Sequence, residues 1–263
     1  MQPTTATETT EPAYEQYGDG RPLLLLHGGM APREYWNPVV PHLESYTAVV
    51  PDRPGFGTCL DDLAETTADG VLAREVEYVH ALVDAVDGTP VLFGHSFGGL
   101  TAIEAARGAS VEAVVAYEPA VLPENFREDA DLAARMEALI REGRRREAVK
   151  RYVEQVLHPD GIDDLDAWLD TWPVWPECVD LAEEVVRMNR AVERYRLPDR
   201  FDVDAPALVL AGTDGPAFLR ESARAVHKAL PDSRFVEFDG VSHGGPGEAP
   251  ERVTAALNAF LDR

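Results

Sequence analysis

Two rhythms of apolar residues alternate along this chain. Short uninterrupted runs at residues 23–26 (Leu23 to Leu26), 48–50, 89–93, 111–117 and 207–211 carry almost no polar position, Glu112 being hard to bury. That is the pattern of strands covered on both faces of a parallel sheet. Between them apolar residues recur at helical spacing, best over 71–86, where Val71, Leu72, Val76, Val79, Leu82, Val83 and Val86 share a stripe that stops at Asp87-Gly88. Residues 100–107 predict a helix ending at Gly108, 217–230 another, 234–238 a last strand, and 250–261 a closing helix with proline at its start. Residues 33–43 predict a short helix restricted by Pro38 and Pro41, and 13–17 a short alternating strand turned at Gly18-Asp19-Gly20. From 121 to about 200 no strand is visible, and 129–143, 144–157, 165–171 and 178–196 are candidate helices. The alternation predicts an α/β fold with a mostly parallel sheet. Its core is 12–120 and 201–263, a helical insertion occupies 121–200, and 1–11 is a disordered tail. No internal repeat or low-complexity segment interrupts it.

One of these strands, 89–93, runs into Gly94-His95-Ser96-Phe97-Gly98-Gly99 and then into the predicted helix. Gly-x-Ser-x-Gly between strand and helix makes a strained turn whose glycines let its two arms pass closely and push Ser96 above the sheet. A plain glycine-rich turn has the same five-residue pattern, so the neighbouring segments decide. Leu23 to Leu26 ends in His27-Gly28-Gly29, and Ala48-Val49-Val50 ends in Pro51-Asp52-Arg53-Pro54-Gly55-Phe56-Gly57. Together these resemble the α/β-hydrolase superfamily in its usual chain order, over nearly the whole sequence from Ala13 to Leu261. The resemblance implies that the early antiparallel strands are abbreviated here and that 121–200 is a cap. Trp168, Trp172, Trp175, Leu157, Val186 and Met188 are candidates for its apolar roof, or for packing the cap onto the core.

Composition changes this picture little. At 263 residues with 45% hydrophobic content there is room for one large domain with an inserted cap. No apolar run suits a membrane span, and the Thr-rich start lacks the pattern of a signal peptide, so a soluble, cytoplasmic protein is expected. Cys59 and Cys178 are too few for a disulfide framework and lack metal-ligand spacing; free thiols are expected, and no metal. Charge changes more. A net charge of −23, with Lys150 and Lys228 the only lysines, would repel nucleic acid and anionic membrane. Concentrated salt screens such self-repulsion, so a salt-loving source is the expectation; an acidic chain from a GC-rich mesophile is the other. The arginines at 141, 144, 145, 146 and 151 fit a solvated helix face balanced by Glu142, Glu147 and Glu154.

A serine hydroxyl needs a base. Among the histidines, His95 points away from Ser96 by strand alternation, and His42, His80, His158 and His227 fall in predicted helices or the cap. The resemblance gives His27 a structural role and places the base at His243, in the loop after the last strand. It puts the oxyanion donors at the backbone N–H groups of Phe97 and Gly29, with Met30 as the neighbour to check. The acid has two candidates. Many members carry it three residues beyond the glycine ending the 207–211 strand, but Gly215 stands there and the nearest carboxylate is Asp214. A smaller set carries a Glu after the preceding core strand, and Tyr117-Glu118-Pro119 resembles the Tyr-Glu-Pro segment of such members, which favours Glu118. The expected function is a cofactor-independent serine hydrolase of a small ester or related acyl substrate, monomer or homodimer. A non-hydrolytic member, such as a carbon–carbon lyase, a perhydrolase or a ligand-binding receptor, is the alternative. Serine at the elbow, in place of aspartate, argues against dehalogenase and epoxide hydrolase chemistry.

Overall fold

The computed structural model describes residues 4–5, 13–57, 68–128 and 130–262. Its strands are β1 (Thr4–Thr5), β2 (Tyr14–Tyr17), β3 (Arg21–Leu26), β4 (Tyr46–Pro51), β5 (Val91–His95), β6 (Ala113–Tyr117), β7 (Ala207–Gly212) and β8 (Ser233–Phe238). They form an 8-stranded sheet in the order β1-β2-β4-β3-β5-β6-β7-β8. Strands β4 through β8 pair in parallel, whereas β2 lies antiparallel to both β1 and β4. Within the segment whose composition predicts a tail, β-branched Thr4 and Thr5 extend the edge by pairing with Gln16 and Glu15.

Period-two alternation divides the sheet's side chains between two apolar layers. Leu24, Leu26, Leu92, Val114 and Val209 face one, with α1 (Ala68–Ala85), α2 (Phe97–Ala105) and α7 (Ala217–Ala229). Leu23, Leu25, Phe93, Val115 and Leu208 face the other, with Trp36, Val39 and the closing helix, Val253 and Leu257 among it. Leu23 to Leu26 have no exposed surface, each burial contributing about 1.5–3 kcal/mol. That is why this run holds the middle of the sheet.

The inserted region is helical: α3 (Leu132–Arg141), α4 (Arg145–Tyr152), α5 (Leu165–Leu169) and α6 (Ala182–Arg194). Its basic cluster is a solvated face, with Arg144 on Glu142 at 2.8 Å, Arg151 on Glu154 at 3.1 Å and Arg146 over the Trp175 ring. Some segments differ from the pattern. The helix predicted at 33–43 is two 3₁₀ turns, Arg33–Trp36 and Val40–His42, because Pro38 and Pro41 lack the N–H groups that would join them. Residues 144–157 are α4 followed by a π-helical turn, Val153–Leu157. Beyond β8, a short α8 (Gly245–Glu248) that no periodicity marks precedes α9 (Pro250–Leu261). Among the described residues no helix is long and apolar enough to cross a membrane, and no group of His, Cys, Asp and Glu side chains is placed to hold a metal ion. Cys178 is a buried free thiol; the expectation for Cys59 lies outside the described residues.

Candidate active site

At the carboxyl ends of β3, β5, β6 and β8 the chain brings together the residues singled out above. Ser96 follows β5 with φ 55° and ψ −119°, a left-handed conformation that costs a non-glycine residue on the order of 1–3 kcal/mol. The turn is held by its own peptide groups. Ser96 N–H donates to Tyr117 O at 3.0 Å, and Ser96 O accepts from Gly99, Leu100 and Ala120 N–H at 2.9, 3.1 and 3.0 Å. The flanking glycines are obligatory here for lack of space: a Cβ on Gly94 would lie 2.1 Å from Gly98 O, and one on Gly98 2.3 Å from Leu26 O.

Glu118, fully buried at the end of β6, receives the Nδ1–H of His243 on Oε2 at 2.6 Å and the Gly212 N–H on Oε1 at 3.0 Å. With Nδ1 as the donor, a neutral imidazole carries its lone pair on Nε2. Glu118 itself has φ 41°, its N–H held by Leu210 O at 2.8 Å. Asp214 goes elsewhere: it is exposed and accepts from the Thr213 hydroxyl at 2.9 Å. The reason lies at Gly215, where a Cβ would stand 2.7 Å from Glu118 Oε1. The β6 carboxylate occupies the space that a side chain from the β7 loop would fill.

The histidine loop is anchored by residues that no local pattern marked. Tyr117 donates its hydroxyl to Ser242 O at 2.6 Å, and Glu248 in α8 accepts from Ser242 N–H at 2.9 Å and from its hydroxyl. Alternation would turn His95 away from Ser96, but its Nδ1 and the Ser96 Cβ lie 2.9 and 3.0 Å from where a Cβ on Gly28 would stand, and its ring does not merely pack. Its Nε2–H donates to the His243 carbonyl at 2.8 Å while its ring stacks on Tyr35 at 4.6 Å. Burial, and the neighbouring His243, hold the His95 imidazole well below its ordinary range, so it is neutral. His27 fixes the opposite wall: its Nε2 accepts the Arg53 N–H at 3.3 Å and its Nδ1–H donates to Gly28 O at 3.0 Å. Burial, then the Arg53 charge, keeps it neutral too.

A small cavity, about 50 Å³, opens beside Ser96. Gly29, Ser96 and Phe97 form one side; Phe97 begins α2, where the first N–H groups have no acceptor within the helix. Met30 does not line it: φ 58° turns its side chain into the core. The cap supplies Tyr152, Val156, Val185, Met188, Asn189 and Val192. Of the expected roof residues only Met188 faces the cavity. Trp168, Trp172, Trp175 and Leu157 pack partly buried against the core and Val186 is buried in it. Val156, four residues beyond Tyr152, lines the cavity where Leu157 was expected. On α6 the stripe runs through Val185, Met188, Asn189 and Val192, one residue from Val186.

A strained serine turn, an imidazole–carboxylate pair behind it and this strand order define an α/β hydrolase. The model of the alpha/beta hydrolase family matches residues 23–256, and the chain belongs to that family. It is similar to the (E)-2-((N-methylformamido)methylene)succinate hydrolase of Acinetobacter baylyi, 29% identical over 95% of this chain and 93% of the relative. It is also similar to the 2-hydroxy-6-oxo-6-(2'-aminophenyl)hexa-2,4-dienoic acid hydrolase of Metapseudomonas resinovorans, 26% identical over 96% and 88% of the two. Among solved structures, an α/β hydrolase from Sphaerobacter thermophilus superposes with a TM-score of 0.80 at 25% identity, covering 98% of this chain and 99% of that one.

Proposed function

We propose that the chain is a cofactor-independent serine hydrolase of a small ester or related acyl substrate, acting through an acyl-enzyme in the cytoplasm. The observation that carries this reading is the 2.6 Å contact from His243 Nδ1 to the buried Glu118 carboxylate, in the loops that also present Ser96. Held in this tautomer, His243 takes the Ser96 proton on Nε2 as Oγ attacks the substrate carbonyl, and Glu118 stabilises the imidazolium that results. The Gly29 and Phe97 N–H groups hold the oxyanion. The tetrahedral intermediate collapses, His243 returns the proton to the leaving alcohol, and an ester to Ser96 Oγ remains. Water, deprotonated by the same imidazole, attacks that ester and releases the acid and the serine. The A. baylyi and M. resinovorans relatives are both named as hydrolases, which supports hydrolysis over a non-hydrolytic use of the fold. The small, mostly apolar cavity favours short acyl chains.

Activity on 4-nitrophenyl esters of graded chain length tests the reading. Ser96→Ala should lose several orders of magnitude in kcat with the fold intact, because the substitution removes one hydroxyl and opens no core cavity. Retention of more than about a tenth of the activity would overturn the nucleophile assignment.

A further inference from the structure

Beneath the pocket lies a cation that this reaction does not use. Arg53, in the loop after β4, is fully buried, with the rings of Phe56 and Phe97 at 5.2 and 5.3 Å from its Cζ. A guanidinium has five N–H donors. Here Nη2 donates to Met188 Sδ at 3.3 Å, a weak acceptor, while Nε and Nη1 have no hydrogen-bond acceptor. Nη1 stands 3.5 Å from Glu75 Oε2, and neither Glu75 oxygen receives a hydrogen bond. A purely structural ion pair between this loop and α1 explains the Glu75 side. It leaves the edge that faces Met188 without an oxygen, and a buried, poorly satisfied cation is costly.

Adjacent atoms of Met188 touch both places. Its sulfur meets Arg53, and its methyl lies within 3.3 Å of where a Cβ on Gly29 would stand, on the cavity wall shared with Ser96 and Phe97. One flexible, unbranched thioether therefore separates the nucleophile's pocket from the guanidinium. Resting on the hydrolase reading above, we propose that Arg53 anchors an anion subsite reached by displacing Met188, and that the acyl substrate carries a carboxylate which this guanidinium takes. The rings over Arg53 leave its planar edge for a planar bidentate partner. The acids nearby oppose this less than exposed ones would. Burial pushes the Glu75 carboxyl up to about 7 and raises that of Glu184, which Arg187 already pairs at 3.0 Å.

The test compares kcat/KM for the mono-4-nitrophenyl ester of glutaric acid with that for 4-nitrophenyl valerate, which lacks the carboxylate. The wild-type chain should prefer the glutarate ester at least about tenfold, and Arg53→Met combined with Glu75→Gln, which leaves no buried carboxylate unpaired, should bring the ratio to about one. A ratio near one in the wild type, or one unchanged in the double variant, overturns the subsite. Calorimetric titration of the wild-type chain with glutarate and with glutaramide reads it without turnover and without a variant. Binding of glutarate alone supports the subsite, and equal or no binding contradicts it. A chain that hydrolyses neither ester but binds glutarate alone keeps the subsite and loses the hydrolase reading. One that hydrolyses valerate without preferring or binding glutarate keeps the reaction and loses the subsite.

Discussion

Gly215 and Glu118 exclude one another: the Cβ that the glycine lacks would stand 2.7 Å from the carboxylate. Exchanging shape-matched neutral amides shows which acid orients the base. Glu118→Gln should lower kcat on the order of 10²- to 10⁴-fold and Asp214→Asn less than about tenfold, measured on one ester. The reverse order would move the acid to Asp214. His95 offers a second comparison, because a glutamine amide can replace the Nε2–H that holds the His243 carbonyl and a phenylalanine cannot. His95→Phe should cost about tenfold in kcat and His95→Gln under about threefold, the scale of one lost hydrogen bond. The folded pKa of His95 is depressed, so below about 6.5 the unfolded chain binds a proton that the folded one refuses. Its contribution to stability is therefore lost as pH falls through that value. Tm should fall less steeply with acid in His95→Gln than in the wild type, and equal slopes would show that His95 is not held neutral. The placement of Ser96 and His243 in one set of loops was legible because each sits in a local signature of turn and loop. The His95 anchor was not, since it joins residues 148 apart in sequence.

Strands and helices were largely legible wherever both faces of an element are buried or one stripe is sharply apolar. The strand at 23–26 and the helix at 71–86 emerge as β3 and α1 with shifted ends. Phase within the cap was not legible, because Val156 and Leu157, like Val185 and Val186, are adjacent apolar residues and composition does not choose which of each pair faces the cavity. The cavity-facing side can be checked on α6. Val192→Ala enlarges the cavity and should shift the best 4-nitrophenyl ester to a longer acyl chain. Trp168→Ala, removing a ring that packs on His158 and Trp172, should leave the chain-length profile unchanged. A profile that follows Trp168 instead would return the tryptophans to the roof.

Across the whole molecule, a net charge of −23 acts on every element at once. The observed ion pairs sit mostly at the surface, where each contributes about 0–1 kcal/mol, too little to offset general repulsion at low ionic strength. We expect haloadaptation to account for this composition. Tm should then rise between about 0.05 M and about 2 M KCl as the screening length contracts. An unchanged Tm would leave the acidity without that explanation.

The account rests on Ser96 becoming acylated, and rapid mixing of the wild-type chain with a short-chain 4-nitrophenyl ester reads this directly. Where deacylation is the slower step, a burst of about one 4-nitrophenolate per chain should precede steady turnover. Acid quenching within the burst should leave the acyl mass on the peptide containing Ser96. A burst with that peptide unmodified, or an acyl mass carried by another residue, would contradict the account.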